Sequence, residues 1–280
     1  VLGVPLAKLE IVALTTSGDR IRDRPLSDAG GKGLFTKELE EALLARRIDI
    51  AVHSMKDMAT NLPSGLAIGA VLVREDVRDA FVSLNFAALS ELPSGAKVGT
   101  SSIRRRAQVR LARPDLEIVD FRGNVDTRLR KLEAGIADAT LLACAGLNRL
   151  GQADRITAAI SVSDMLPAVA QGAIAIEVCD EAGEIGAAVA LLDDPATHAC
   201  VRVERAFLRE LDGSCRTPIA ALAEWAGEEI ELRGEILRTD GSQRLGTIKR
   251  GPAAMMEDEA AEAARELLAQ AGADFFTEQG

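Results

Sequence analysis

The chain has 280 residues, of which 48% are hydrophobic and 27% charged, a composition typical of globular proteins, and its formal net charge is -10. This acidic balance, with 3% aromatic residues and no tyrosine, argues against a general nucleic-acid binder, which needs a basic surface and stacking side chains. A membrane partner is not expected either, because no apolar run approaches the ~20 residues that cross a bilayer.

The first part of the chain predicts a strand and then a loop with candidate functional groups. Residues 9–14 have the apolar pattern of a strand. Residues 29–35 form a glycine-rich loop that contains Lys32 and opens a helix reaching about residue 47, with Phe35 at the start of its apolar face. The loop allows close approach of a ligand, but it lacks a full Walker or dinucleotide pattern, so neither ATP nor NAD is indicated.

The segment at residues 53–57 follows an apolar run, 48–52, that predicts a short buried strand. Ligands of α/β proteins bind beyond the carboxyl ends of parallel strands, so Asp57 is a candidate acid or base. Lys56 beside it favours the charged form of the carboxylate. From these residues alone, a solvated Lys–Asp pair in an ordinary loop is the alternative.

The middle of the chain alternates predicted strands and helices, which indicates a parallel sheet with crossover helices. A charged crossing at 74–79 is the first predicted domain boundary. The predicted strands are 66–73, 80–84, 97–99, 116–121 and 139–144, and the predicted helices are 102–113 and 124–134.

The last third changes character after a small-residue loop and apolar strand at 169–178 and a long helix at 195–211. Three strands and a helix then predict a small antiparallel α+β domain, with a hairpin turn at Asp240 and Gly241. These elements are the strands 219–225, 229–237 and 244–249 and the helix 253–271.

A cluster of hydroxyls and arginines marks the start of the helix predicted after residue 101. Thr100, Ser101 and Ser102 lead directly into Arg104 and Arg105. Free N–H groups, the helix dipole and adjacent guanidinium groups together predict an anion site. The third arginine of the run points elsewhere, because successive helical residues are rotated by ~100°.

The same pattern of strand, arginine, glycine and helix start recurs at Arg122. Arg128 lies four residues into that helix, on the side of Asn124, and Arg149 is a further candidate. Each arginine alone fits a solvated helix face. Several at the ends of elements along one sheet edge favour an anion-binding cleft.

The four cysteines form no CxxC pair, and only two histidines are present, so neither a disulfide framework nor a metal site is expected. A reducing, cytoplasmic compartment is the simplest interpretation. Cys144, Cys179 and Cys200 lie in apolar or helical segments and are predicted core residues. Cys215 differs, because its Gly–Ser loop and the adjacent Arg216 favour a thiolate suited to covalent chemistry on a polycarboxylate.

Seven stretches occur in the order found in one enzyme family. They are GGKGLF at 30–35, HSMKD at 53–57, GTSSIRR at 99–105, RGNV at 122–125, AGL at 145–147, LPAVAQG at 166–172 and the loop around Cys215. In these motifs the chain resembles the porphobilinogen deaminase (hydroxymethylbilane synthase) family from about residue 10 to its end.

The resemblance implies a monomeric, cytoplasmic α/β protein of three domains around a cleft. The first two domains are expected to be periplasmic-binding-protein-like, and the third to be α+β with a three-stranded antiparallel sheet. The expected domains are 1–73 with 172–192, then 78–168, then 195–280.

The resemblance also implies a transferase of porphyrin (heme) biosynthesis. Four units of its small-molecule substrate, porphobilinogen, are joined head to tail with loss of ammonia, which gives the linear tetrapyrrole hydroxymethylbilane. The chain grows on a dipyrromethane cofactor held by a thioether to Cys215. Asp57 takes the catalytic position, and His53 is left with a structural role. The implied binding residues are Lys32, Phe35, Lys56, Thr100, Ser101, Ser102, Arg104, Arg105, Arg122, Arg128, Arg149 and Gln171.

Some family features have no counterpart. An earlier strand–helix unit with ligand-contacting residues is not found before Leu9, and two basic positions of the first domain are Ser17 and Asp28 here. Two alternatives follow: a non-catalytic anion-binding protein on the same scaffold, or an inactive, N-terminally truncated form of the enzyme. Cys215 distinguishes the first of these, since a binding protein needs no cysteine there.

Overall fold

The computed structural model describes residues 5–16, 36–211, 217–272 and 274–276. These residues form three sheets with helices packed against them, which confirms the predicted α/β class. The strands are β1 (Ala51–Ser54), β2 (Leu66–Val71), β3 (Asp79–Ser83), β4 (Lys97–Gly99), β5 (Glu117–Val119), β6 (Ala139–Ala143), β7 (Ala158–Ala159), β8 (Ile174–Cys179), β9 (Ile219–Ala226), β10 (Glu229–Leu237) and β11 (Arg244–Pro252). The α-helices are α1 (Lys37–Leu44), α2 (Ile103–Ala112), α3 (Val125–Glu133), α4 (Cys144–Arg149), α5 (Gly183–Ala190), α6 (Pro195–Glu210) and α7 (Met256–Ala271). None of these helices is long and apolar enough to cross a membrane.

The first sheet has the order β1–β8–β2, and both outer strands are antiparallel to β8. The expectation of a parallel strand before Asp57 is therefore wrong, because β8 returns from later in the chain and lies between β1 and β2. The strand begins at Ala51 rather than at residue 48 and is buried on one face only, which leaves Val52 exposed. Leu43 of α1 packs on this sheet with Leu66 and Cys179.

The strand predicted at residues 9–14 is absent from the structure. Residues 9–16 have no regular secondary structure, and Ile11 is 89% exposed. Its apolar pattern predicts a strand, but a strand also needs a partner for its backbone groups. Among the described strands, none pairs with this segment.

The middle sheet has the order β5–β4–β6–β3–β7 and is parallel at its centre. β4 runs parallel to both β5 and β6, as the alternating pattern predicts. β3 is antiparallel to β6 and β7, so the expectation of a wholly parallel sheet is wrong for these strands. The reason is the connection: the chain enters β3 directly from the first sheet, without a crossover helix beside β6.

The third sheet, β11–β10–β9, is antiparallel throughout, which confirms the predicted C-terminal α+β unit. Gly241 adopts a φ of 77° in the β10–β11 turn, a conformation that glycine takes without strain. Helices α6 and α7 pack on this sheet around the fully buried Phe207. Met55, from the turn after β1, belongs to the same apolar cluster, so this core also supports the first sheet.

Two neighbouring chain segments connect the first and middle sheets. The amide of Leu72 donates to the carbonyl of Ile174 at 3.0 Å, and that of Glu75 donates to Gly172 at 3.1 Å. Gly172 has a φ of 87°, and a Cβ there would lie 2.4 Å from the Glu75 carbonyl oxygen. The crossing therefore requires glycine at this point for two independent reasons.

A fully buried carboxylate fastens the third sheet to this crossing. Glu204 of α6 accepts two hydrogen bonds from Arg74, at 2.6 and 3.0 Å. It also accepts from the amides of Ala170, at 2.6 Å, and Ala223, at 2.8 Å. One side chain thus joins α6, β9 and both crossing segments, and burial is compensated by the bidentate arginine.

Candidate active site

The carboxyl ends of β4, β5 and β6 meet at one edge of the middle sheet. Each strand is followed there by a segment with predicted anion ligands: residues 100–105 after β4, Arg122 after β5 and α4 after β6. Ligands of α/β sheets bind at this edge. The structure therefore brings the predicted segments together, as the sequence analysis expects for a common cleft.

The hydroxyls before α2 organise the helix start. Ser102 is the N-cap, and its Oγ accepts from the Arg105 amide at 3.4 Å. Thr100 Oγ1 accepts from the Ser102 amide at 3.2 Å, and Ser101 Oγ accepts from the Phe121 amide at 3.0 Å. All three oxygens act as acceptors here, so their hydroxyl hydrogens remain suited to donate to an anion.

The two arginines of α2 face inward onto a buried carboxylate. Arg104 Nη1 lies 2.7 Å from Asp79 Oδ2, and Arg105 Nη2 lies 2.6 Å from Asp79 Oδ1. Arg105 also donates to the Leu141 carbonyl at 2.8 Å. Although burial by itself raises the pKa of Asp79, the two guanidinium groups outweigh it and hold that pKa far below its usual value.

The sequence predicts Arg104 and Arg105 as anion ligands, and in the structure their guanidinium groups pair with Asp79. Both side chains are buried, and their donors are largely used within the protein, because the buried Asp79 carboxylate at the start of β3 requires positive partners. Arg104 Nε is a buried donor without a partner among the described residues. Sequence reasoning missed Asp79; its signal was a charged residue opening an apolar strand.

Arg128 and Arg122 extend the positive region toward solvent. Arg128 Nε donates to the Gly123 carbonyl at 2.8 Å, and Arg122 Nε lies 3.5 Å from Asp120 Oδ2. Desolvation, with repulsion from Arg105 and Arg122, lowers the pKa of Arg128 to about 10. Three guanidinium groups therefore lie within electrostatic range of one another, an arrangement that an anion would relieve.

Lys56 and Asp57 are presented by a single 3-10 turn, Met55–Asp57, directly after β1. The Met55 amide donates to the Ala173 carbonyl at 3.0 Å and its side chain is buried, which anchors the turn. Both charged side chains remain accessible to solvent. Desolvation by the surrounding walls lowers the pKa of Lys56, with a further lowering by Arg105, while Asp57 opposes these effects. Lys56 is thus within electrostatic range of both Asp57 and the arginine cluster.

Gln171 and Arg149 contact the crossing segments. The buried Gln171 donates through Nε2 to Asp79 at 3.0 Å and to the Val77 carbonyl at 2.8 Å, and its Oε1 lies 3.4 Å from Lys56 Nζ. Arg149 Nη2 donates to the Gly172 carbonyl at 2.7 Å. Gln171 therefore connects the turn that carries Lys56 to the buried ion pairs, a function its sequence position did not reveal.

His53 lies in the interior, in contact with an acidic residue of the neighbouring strand. Its Nε2 is 3.0 Å from Glu177 Oε2, and both side chains are buried. A histidine held in this way between β1 and β8 supports the sheet and does not face the cleft that contains Asp57.

The predicted core cysteines are confirmed as buried. Desolvation raises the pKa values of Cys144 and Cys200 to about 11, so these groups are thiols at neutral pH, and Cys179 donates to the Leu43 carbonyl at 3.2 Å. The predicted ligands Lys32 and Phe35 and the predicted attachment residue, Cys215, lie outside the described residues.

Family comparisons match nearly the whole chain. Residues 4–187 match the family model described as porphobilinogen deaminase, dipyromethane cofactor binding domain, and residues 198–270 match porphobilinogen deaminase, C-terminal domain. The chain belongs to the porphobilinogen deaminase family. It is therefore assigned to a family of transferases, and the alternative of a non-catalytic anion-binding protein is set aside.

Curated porphobilinogen deaminases are similar over most of their length. The protein of Paracoccus denitrificans is 55% identical over 274 residues, which cover 98% of this chain and 88% of the relative. That of Nitrobacter hamburgensis is 54% identical over 270 residues, covering 96% and 85%.

Solved structures with a remote likeness include two binding proteins. A putative methionine-binding lipoprotein of Bacillus subtilis is 16% identical with a TM-score of 0.37, covering 56% of this chain and 72% of that chain. A periplasmic substrate-binding protein of an ABC transporter from Coxiella burnetii is 16% identical with a TM-score of 0.38, covering 57% and 77%. At these TM-scores the likeness carries no conclusion about architecture or ligands.

Proposed function

We propose that the edge of the middle sheet and the turn at Lys56 and Asp57 form the site where this chain condenses porphobilinogen. The observation that carries the proposal is their electrostatic proximity. One exposed carboxylate lies beside a lysine that is itself within range of Arg105. Such a site combines a proton-transfer group with cations that bind carboxylates, which is what this reaction requires.

The described cations fit a dipyrromethane cofactor, whose pyrrole rings carry acetate and propionate groups. Among the described residues Arg128 makes one hydrogen bond, to a backbone carbonyl, and it is within electrostatic range of Arg105 and Arg122. A ligand carboxylate would supply the missing negative charge. Further donors for ligand carboxylates are Arg122, Arg149 and Arg104, whose Nε has no partner among the described residues. When bound, dipyrromethane supplies the nucleophilic pyrrole carbon to which the first substrate unit is added.

Asp57 is the proposed acid and base of each condensation. Its carboxylic acid gives a proton to the aminomethyl nitrogen of porphobilinogen, and ammonia leaves as the carbon–nitrogen bond breaks. The resulting carboxylate stabilises the positive charge that develops on the substrate. After the new carbon–carbon bond forms, Asp57 takes up the proton that the pyrrole ring loses, so its starting state is restored.

Lys56 and Gln171 position this carboxylate and the incoming substrate. Lys56 is within electrostatic range of Asp57 and offers a cation to the carboxylate groups of the substrate. Gln171 holds the Lys56 ammonium group against the Asp79 cluster. The hydroxyls of Ser101 and Ser102 donate to substrate carboxylates at the start of α2.

Cys215 is the proposed attachment point of the cofactor, and intact-protein mass spectrometry tests it. The wild-type chain from a host that supplies porphobilinogen should carry the mass of two pyrrole units, and Cys215→Ala should lose it. Cys200→Ala is the matched control, because Cys200 is buried, and it should keep the adduct. An unmodified wild-type chain, or an adduct retained in Cys215→Ala, contradicts the assignment.

The proposal also covers the domain boundaries, the cellular location and the oligomeric state. The three sheets support three lobes, with 1–73 and 172–192 in the first, 78–168 in the second and 195–280 in the third. A cytoplasmic location is supported by the free thiols of Cys144, Cys179 and Cys200. The enzyme acts as a monomer on its small-molecule substrate, without nucleic acid or membrane.

A further inference from the structure

A second group of cations lines a cavity of about 200 Å³ between α6 and the chain that follows Asp57. The opposite wall includes Thr60, Leu62 and Ile68. Four side chains of α6 with positive or titratable groups face it, because their spacing places them on one side of a helix. They are His198, Arg202, Arg205 and Arg209.

Only half of these groups have an acidic partner. His198 Nδ1 lies 2.8 Å from Asp193 Oδ1, and Arg202 Nε lies 3.3 Å from Glu257 Oε1. Arg205 and Arg209 form no ion pair with any carboxylate among the described residues. The cavity therefore has a net positive charge, in a protein whose overall charge is -10.

Arg205 is the buried member of the group and is only 5% exposed. Its Nη2 donates to the carbonyls of Ala59, at 2.6 Å, and Thr60, at 3.0 Å, and the same side chain lines the cavity. Desolvation and repulsion from Arg209 lower the pKa of Arg205 to about 10, against an opposing attraction from Glu177. Glu177 offsets these effects in part but forms no ion pair with Arg205 among the described residues, so a bound anion would further stabilise the buried cation.

We propose that this cavity binds a small multivalent oxyanion of the inorganic phosphate or sulfate type. Arg202, Arg205 and Arg209 offer guanidinium donors from three successive turns of α6, which suits an anion with three or four oxygens. The only acidic wall residue, Glu257, is already paired with Arg202. Pockets for drug-sized ligands begin at roughly 300 Å³, so the volume favours a small anion over a nucleotide.

The site lies outside the proposed condensation cleft but connects to it through the backbone. The carbonyls that Arg205 holds belong to the second and third residues after Asp57. An anion that fixes the Arg205 guanidinium therefore also fixes the loop following the catalytic turn. This inference does not depend on the condensation chemistry, because the cavity and its charges do not include residues of that cleft.

The test is a phosphate titration of the cofactor-loaded protein at constant ionic strength, followed by NMR. Backbone amide signals of residues 59–62 and the Arg205 guanidinium signal report on this site, separately from residues 100–128 of the cleft. Saturable shifts are expected at the first set with phosphate and sulfate, and at least tenfold weaker binding with monovalent acetate. Arg209→Ala should weaken phosphate binding at least tenfold, since Arg209 is exposed and its loss leaves the fold intact.

Arg265→Ala is the matched control, because this exposed arginine of α7 is paired with Glu210 and Glu262 and does not line the cavity. It should bind phosphate as the wild type does. Shifts confined to residues 100–128, equal affinity for acetate and phosphate, or an unchanged affinity in Arg209→Ala would each overturn the proposal. Circular dichroism of both variants verifies that they are folded.

Discussion

The cluster around Asp79 and the turn at Asp57 each contain an aspartate near cationic side chains, but the two carboxylates differ in burial and pairing. Asp79 is buried and neutralised by Arg104 and Arg105, so its negative charge serves the fold. Asp57 is exposed, and no ion pair or hydrogen bond to its carboxylate is found among the described residues. The comparison teaches that burial and pairing, rather than residue type, separate a structural carboxylate from one available for proton transfer.

The largest expected effect on activity is that of Asp57→Asn. Loss of a general acid and base lowers turnover by roughly 10²–10⁴-fold, while the fold is retained because the side chain is exposed. Ammonia release from porphobilinogen measures turnover, and thermal unfolding measures stability. Asp49→Asn, at another exposed carboxylate before β1, should behave as the wild type. Wild-type turnover in Asp57→Asn would remove the proposed role.

Asp79→Asn should produce the opposite outcome, a loss of stability. Removing the buried negative charge leaves two arginines uncompensated in the interior, which costs about 3–5 kcal/mol of unfolding free energy. Denaturant unfolding measures this loss of stability. Asp115→Asn is the control, and it should change the stability little, because Asp115 pairs with Arg113 at the surface. Arg105→Leu should also lower the free energy of unfolding, because it removes one partner of the buried Asp79. An arginine that only bound a ligand anion would not have this effect.

The dependence of the unfolding free energy on pH in acid gives a second test of this ion pair. The pKa of Asp79 lies below its unfolded value of 3.8, so its contribution is fully present above pH 3.8 and is lost as pH falls through the folded pKa. The difference in unfolding free energy between wild type and Asp79→Asn should therefore be constant near neutrality and narrow in strong acid. A gap that does not change with pH would contradict the buried ion pair.

The smallest expected effect is that of Arg128→Leu, at the boundary between the two regions. A charge-assisted hydrogen bond contributes about 1.5–3 kcal/mol, so the variant should show roughly a tenfold to hundredfold rise in KM, with a smaller change in kcat. Stability should change little, because within the part of the chain that the structure describes Arg128 makes one hydrogen bond, to a backbone carbonyl. Arg130→Leu, on the exposed side of α3, is the control and should keep the wild-type KM.

Local sequence signals predicted the elements that position the site. Ser102 and Asn124 were placed at helix starts, and both are N-caps that accept from an amide three residues later. The strands that precede these two residues, β4 and β5, end at one edge of the middle sheet, as the alternation of strands and helices predicts. The strand predicted at residues 9–14 was wrong, because an apolar pattern does not specify a pairing partner.

The sequence alone specifies the chemical groups, their order along the chain and the family to which the chain belongs. The motif at residues 53–57 predicts Asp57 as the proton-transfer group, and the arginine-bearing helix starts predict an anion-binding edge. Only the tertiary structure decided which charges remain available. Asp79 of β3 precedes Arg104 and Arg105 by 25 and 26 residues in the sequence and forms hydrogen bonds with both. A buried carboxylate requires positive partners, and here the fold supplies them from a distant part of the chain.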